Sequence, residues 1–300
     1  MTGSITMLNM TKTQKQHVET LRTPLNSLVE QYGSTYVHTD PIQFVYRYKD
    51  PQNRELIGFL CALLAFGNVK AIFSSIEKLL NFLGKNPLQQ ILSWPHNCPK
   101  LLFPFYHRWI TGKDLHVFFK ILRNIYGSHG SLEAFFMEKE NLDRNLKAKL
   151  DSFAKRIQSM LCREVGGTLN IGQRFLLSSP SQGSACKRLN LFLRWMVRKT
   201  APDLGLWTTI SPDQLYLPID THLGKIVRYI GLTRRKSVNW KMVEEVTSNL
   251  RELDHEDPIR YDFALARLGI LDRCRHRADP DCCPFCALVH VCLLNRGKYT

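Results

Sequence analysis

Apolar residues recur along this chain every three or four positions, in runs separated by short groups of turn residues. That period sets one face of a helix against a core. In RELIGFLCALLAFGNVKAIFSSIEKLLNFLG, from Arg54, it predicts two helices broken at Phe66-Gly67-Asn68. The second carries Val69, Ile72, Phe73, Ile76, Leu79 and Leu80 at helical spacing. Further helices are predicted at about 115–125 (LHVFFKILRNI), 131–138 and 142–162, and later over VNWKMVEEVTSNLREL and DPIRYDFALARLGI. No run alternates with the period of two that a half-buried strand requires, and there is no internal repeat. The expected fold class is all α.

Two of the predicted helices carry chemistry as well as pattern. In SSPSQGSACKRLNLFLRWMVRK, Ala185, Leu189, Phe192, Leu193 and Met196 share one face, and Lys187, Asn190, Arg194 and Arg198 share the other. Ser181 or Ser184 can cap this helix. Five basic residues and no acid lie between Ser181 and Lys199. The polar side is either an ordinary wet face or a phosphate-binding surface built on the helix start. In LYLPIDTHLGKIVRYIGL, Pro218 keeps Leu217 extended. Asp220 or Thr221 can then cap a helix bearing Leu223, Ile226, Val227 and Ile230.

Composition adds a partner and a compartment. A chain of 300 residues with 44% hydrophobic content can bury its cores without disulfide staples. Its formal charge of +15 suits a polyanion, because neutralised phosphates release counterions. The first fourteen residues read as a loose polar tail, with neither a cleavable leader nor an apolar stretch of about 18 residues after them. A cytoplasmic protein with no membrane association is expected. In such a compartment clustered thiols point to metal ligation. Five of the nine cysteines crowd into CRHRADPDCCPFCALVHVC, spaced Cys274-x8-Cys283-x2-Cys286-x5-Cys292, with Cys282 as a neighbour able to replace Cys283. Four thiolates suit zinc or a [4Fe–4S] cluster. One short knuckle in one compact loop favours the cluster. Arg275, His276 and Arg277 lie on that loop, so the metal centre would clamp a basic loop in place.

Taken together, LIGFLCALLAFGNVKAIFSSIEKLL, CKRLNLFL, PIDTHLGKI and the final helix running into C-x2-C-x5-C resemble the helix-hairpin-helix DNA glycosylase superfamily, the class of endonuclease III and the 8-oxoguanine glycosylases. The likeness spans about residues 54 to 292, with all four features in the same order. The chain departs from the pattern before the lysine, where LLSSPSQGSAC replaces L-P-G-x-G and keeps only Gly183, with Ser184 beside it. Its connector to the aspartate is also longer. These departures suggest a separate bacterial branch of the superfamily, of the domain-of-unknown-function type.

The resemblance implies a monomeric enzyme of base-excision repair, a DNA N-glycosylase with AP-lyase activity, acting on double-stranded DNA that holds a damaged base or an abasic site. Lys187 would be the nucleophile and Asp220 the carboxylate that stabilises the developing sugar cation. Gly183, Ser184, Arg188, Arg194, Arg275 and Arg277 would contact the DNA backbone. Extrusion of the base requires a wedge, for which Phe66 and Asn68 are the candidates, Phe66 being equally a core residue. Trp207 would clamp the extruded base, and His222 would serve as a hydrogen-bonding support. The alternative is a non-catalytic nucleic-acid-binding protein on the same scaffold, with a cluster or zinc. Two helical subdomains with a cleft between them are expected, one formed by 15–53 and 205–300 with the cysteines, the other by 54–204 with the hairpin-like element.

Overall fold

The computed structural model describes residues 12–138, 145–271 and 273–295. Of the expected tail, residues 1–11 lie outside that range, and Lys12 already opens helix α1 (Lys12–Thr20). There follow α2 (Arg22–Gln31), α3 (Pro51–Leu64), α4 (Val69–Leu83), α5 (Pro87–Leu92) and α6 (Gly112–His129). Then come α7 (Leu132–Phe136), α8 (Leu146–Val165), α9 (Ile171–Leu176) and α10 (Lys187–Val197). The last three are α11 (Thr221–Tyr229), α12 (Trp240–Leu253) and α13 (Asp262–Ile270). Among the described residues the strands are one short antiparallel pair, β1 (Tyr106–His107) and β2 (Ile110–Thr111), with Tyr106 opposite Thr111. The chain is mostly helical, as the apolar periodicity predicts. No helix among the described residues is long and apolar enough to cross a membrane.

The chain divides into two compact units. One comprises Asp40–Gln182 with Trp195–Thr209; the other comprises the described residues up to Thr39, Gly183–Arg194 and those from Ile210 onward. This differs from the expected boundaries in three places, one being that residues 205–209 join the unit of α3. Pro41–Arg47, a 3-10 turn capped by Asp40, packs on α3, so residues 40–53 join the unit of α3. Gly183–Arg194 joins the unit of α11, α12 and α13, where the Gly183 carbonyl accepts the Trp240 N–H at 3.2 Å.

Helix α3 centres the first unit. Asp50 caps it by accepting the Asn53 N–H at 2.7 Å, and Pro51 fits the first turn, where no donor is needed. Every residue from Glu55 to Leu64 is buried. Each large aliphatic or phenylalanine side chain among them contributes about 1.5–3 kcal/mol of burial. The exception is Glu55, whose carboxylate is buried but accepts from Tyr126 Oη (2.9 Å), Trp207 Nε1 (2.7 Å) and the N–H groups of Leu132 (2.9 Å) and Glu133 (3.0 Å). Burial raises this carboxyl above its ordinary value, and the four hydrogen bonds oppose that rise.

In the second unit α1 packs on α12, α2 on α13, and α11 on α13. Leu21, Leu25, Leu28, Val227, Met242, Val246 and Leu265 form its fully buried centre.

Candidate functional site

Lys187 is the first residue of α10, and a tight turn delivers it there. Gly183 has a φ of +78°, in the left-handed region where a Cβ is unfavourable. Ser184 Oγ accepts the Cys186 N–H at 3.1 Å, and Cys186, buried, is itself left-handed with a φ of +47°. The helix thus starts at Lys187, three residues after Ser184. Asn190 closes the turn from inside, its side-chain amide donating to the Ala185 carbonyl at 3.1 Å. Lys187 is half-buried, with Nζ 3.9 Å from Asp220 Oδ2. Its neighbour Arg188 is also half-buried, and burial lowers its guanidinium to about 10, which leaves it charged at neutral pH.

Asp220 does two things at once. One carboxylate oxygen, Oδ1, caps α11 by accepting the N–H groups of His222 (3.0 Å) and Leu223 (2.9 Å). The other, Oδ2, faces the lysine. The cap therefore fixes the carboxylate in place without consuming both oxygens. Beside it, His222 Nδ1 lies 2.9 Å from His276 Nε2, which ties the start of α11 to the cysteine loop. His276 is held left-handed at a φ of +57°, and its carbonyl accepts Tyr229 Oη at 3.5 Å. Burial, with Lys225 and His222 nearby, lowers its imidazole below the usual range. In the sequence His276 is one basic residue among three; its partner lies 54 positions away and leaves no local signal.

Cys274, Cys283, Cys286 and Cys292 line one cavity, together with Ile226, Tyr229 and Leu268; Cys282 is not among the lining residues. Burial, and after it the neighbouring sulfurs, raises the Cys286 thiol to about 11, and burial likewise raises those of Cys274 and Cys292. Among the described residues no group of three or more His, Cys, Asp or Glu side chains is set to hold a single metal ion. On the same loop Arg275 and Arg277 are exposed, with Asp279 Oδ2 at 3.1 and 4.0 Å.

Other predicted site residues lie elsewhere. The polar face of α10 is not wet: Asn190, Arg194 and Arg198 are each 5% exposed or less. Arg194 is enclosed against Asp262 and lies over the Phe263 ring, so it is a core ion pair and not a backbone contact to DNA. Arg198 pairs in the same way with Asp203. Trp207, expected as a base clamp, is 2% exposed, bonded to Glu55 and packed on Phe136. Asn68 is exposed and caps α4 by accepting the Lys70 N–H at 2.9 Å. Phe66 is half-buried among His107, Trp109 and Phe175.

Lys187, Asp220, Arg188, His222, Gly183 and Ser184 thus belong to one unit with the cysteine loop, whereas Phe66, Asn68 and Trp207 belong to the other. Among curated proteins and among solved structures nothing matches this chain. One family does, described as protein of unknown function (DUF2400), over residues 40–271. The match takes in Lys187 and Asp220 and stops just before Cys274. It covers well over half of the chain, which therefore belongs to the DUF2400 family.

Proposed function

We propose that this protein is a DNA glycosylase with AP-lyase activity, working as a cytoplasmic monomer on double-stranded DNA that holds a damaged base or an abasic site. The observation that carries the reading is the Lys187 amine 3.9 Å from an Asp220 oxygen that helix capping leaves available. Cleavage of the C1′–N bond sends its electrons to the departing base, which takes up a proton. The cation growing on the sugar is stabilised by the Asp220 carboxylate. The Lys187 nitrogen, having given up a proton, bonds to C1′, and ring opening yields a protonated Schiff base. Loss of a C2′ proton then expels the 3′ phosphate and breaks the strand. Arg188, Arg275 and Arg277, with the turn at Gly183 and Ser184, supply the phosphate contacts.

Cys274, Cys283, Cys286 and Cys292 would hold a [4Fe–4S] cluster, the alternative being zinc. Zinc draws four sulfurs to about 2.3 Å from one point, whereas a cluster interposes iron and sulfide and spans a wider ring. Four thiols around one cavity support a metal centre there. When bound it supplies rigidity to the loop bearing Arg275, His276 and Arg277.

Borohydride trapping on abasic duplex tests the reading. The wild type should be captured covalently, and Lys187→Gln should not, while still binding the duplex. Asp220→Asn keeps a good helix cap, so it should fold normally and yet excise bases roughly 10²- to 10³-fold more slowly. Trapping of Lys187→Gln as efficient as wild type would make another amine the nucleophile. Failure of the wild type on every lesion would leave a binding protein without the chemistry.

A further inference from the structure

One exposed aromatic surface lies in the other unit, on the β1–β2 hairpin. Tyr106 is 65% exposed and Trp109 is 47% exposed. Trp109 is not a loose side chain. Its ring lies within 3° of parallel to Phe66, with centroids 6.3 Å apart, and 4.8 Å from that of Phe175. Its backbone is equally fixed, because a Cβ on Gly172 would come within 2.3 Å of the Trp109 carbonyl oxygen. Phe66 is seated in turn against His107, which bonds Ser75 Oγ at 2.9 Å below it.

Charge completes the surface. Between Ser93 and Lys113 there is no acidic residue, and Lys100, Arg108 and Lys113 are all exposed. Arg108, at the hairpin tip, is held left-handed with a φ of +55°, and its guanidinium lies 5.6 Å from the Trp109 ring centroid. The nearest acid in sequence, Asp114, is buried and occupied with Thr111 and Asn170.

We infer that this hairpin is a stacking platform for an unpaired nucleobase, with Trp109 as the ring on which the base lies and Arg108 as the contact to its phosphate. A flat ring braced from behind, an arginine beside it and a basic stretch of chain without carboxylates are the parts from which single-strand contacts are built. The inference shares with the proposed function a nucleic-acid partner but uses neither Lys187 nor Asp220.

Trp109 also provides its own readout. Of the five tryptophans, Trp94, Trp195, Trp207 and Trp240 are 3% exposed or less, so the solvent-facing part of the emission belongs to Trp109. Titration with a short oligothymidylate should quench that emission. Trp109→Ala should weaken binding roughly 5- to 150-fold, the range that loss of one base–aromatic stack produces. Trp109→Phe should restore most of the affinity while losing the quench, and Arg108→Gln should lower the salt slope of binding by about 0.7. Oligothymidylate that binds without altering the emission would overturn the inference, as would Trp109→Ala binding as tightly as wild type. Quenching by phosphatidylserine–phosphatidylcholine vesicles with none by the oligonucleotide would overturn it in favour of a lipid surface. Lys187→Gln should keep the full quench, so loss of trapping and loss of stacking are separate results.

Discussion

Arg194 offers the sharpest contrast between a DNA contact and a core residue. Arg194→Met keeps the length and apolar stem of the side chain but removes the guanidinium that faces Asp262. The two side chains are 1% and 4% exposed, so solvent cannot replace the lost partner. Removing one partner of a buried ion pair costs about 3–5 kcal/mol. At roughly 2–4 °C per kcal/mol for a unit of this size, the melting temperature should fall by roughly 6–20 °C. Circular dichroism on heating measures that fall. In the double variant with Asp262→Leu most of the loss should return, since an apolar pair of similar volume is commonly neutral or better. Arg194→Met should leave the salt dependence of duplex binding as it is in the wild type. Arg277→Gln, in contrast, removes a side chain that is 74% exposed, and the slope of log affinity against log salt should fall by about 0.9 with little change in melting. An Arg194→Met variant that melts like wild type and loses salt slope would refute the reasoning, because Arg194 would then be reaching phosphate.

Replacing Cys286 with serine should remove iron and brown colour together, whereas Cys282→Ser should keep both; stoichiometric zinc without iron in anaerobically purified protein would instead make the centre a zinc site. Glu55→Ala should destabilise the first unit, because each of its four donors left unpaired costs about 1–3 kcal/mol. Glu55 also sets a pH trend: a buried acid with a raised value contributes fully below its unfolded value near 4.3 and less as pH climbs through the folded one. The melting advantage of wild type over Glu55→Gln should therefore shrink as pH rises above about 4.5, and a widening gap would reverse the sign.

Helices with one apolar face were legible from spacing alone. The break at Phe66-Gly67-Asn68 is where α3 stops and α4 starts, and Asn68 is the cap its residue type suggests. The apposition of Lys187 and Asp220 followed from resemblance, since nothing local links positions so far apart. What periodicity could not supply was the fate of a polar face. The spacing of Arg194 and Arg198 is that of a wet stripe, and only Asp262 and Asp203, brought in by tertiary packing, turn it into interior. Trp207 misled for the same reason: its partner, Glu55, is 152 positions away. Proximity between distant carboxylates and their donors has no period to detect.

The Glu55 cluster also bears on the order in which the chain can fold. Three of its four donors, Tyr126, Leu132 and Glu133, leave the ribosome within one continuous stretch, but the fourth, Trp207, arrives much later and after Gly183–Arg194 has been made. A segment that closes so long a loop adds its contacts only after the entropy of closure has been met. Until Trp207 is in place, the growing chain holds a carboxylate in an apolar interior with one donor short, a nascent state more open to proteases and chaperones than the finished protein. A nascent chain stalled before position 207 should thus carry a first unit whose helices are formed and whose centre is not yet locked.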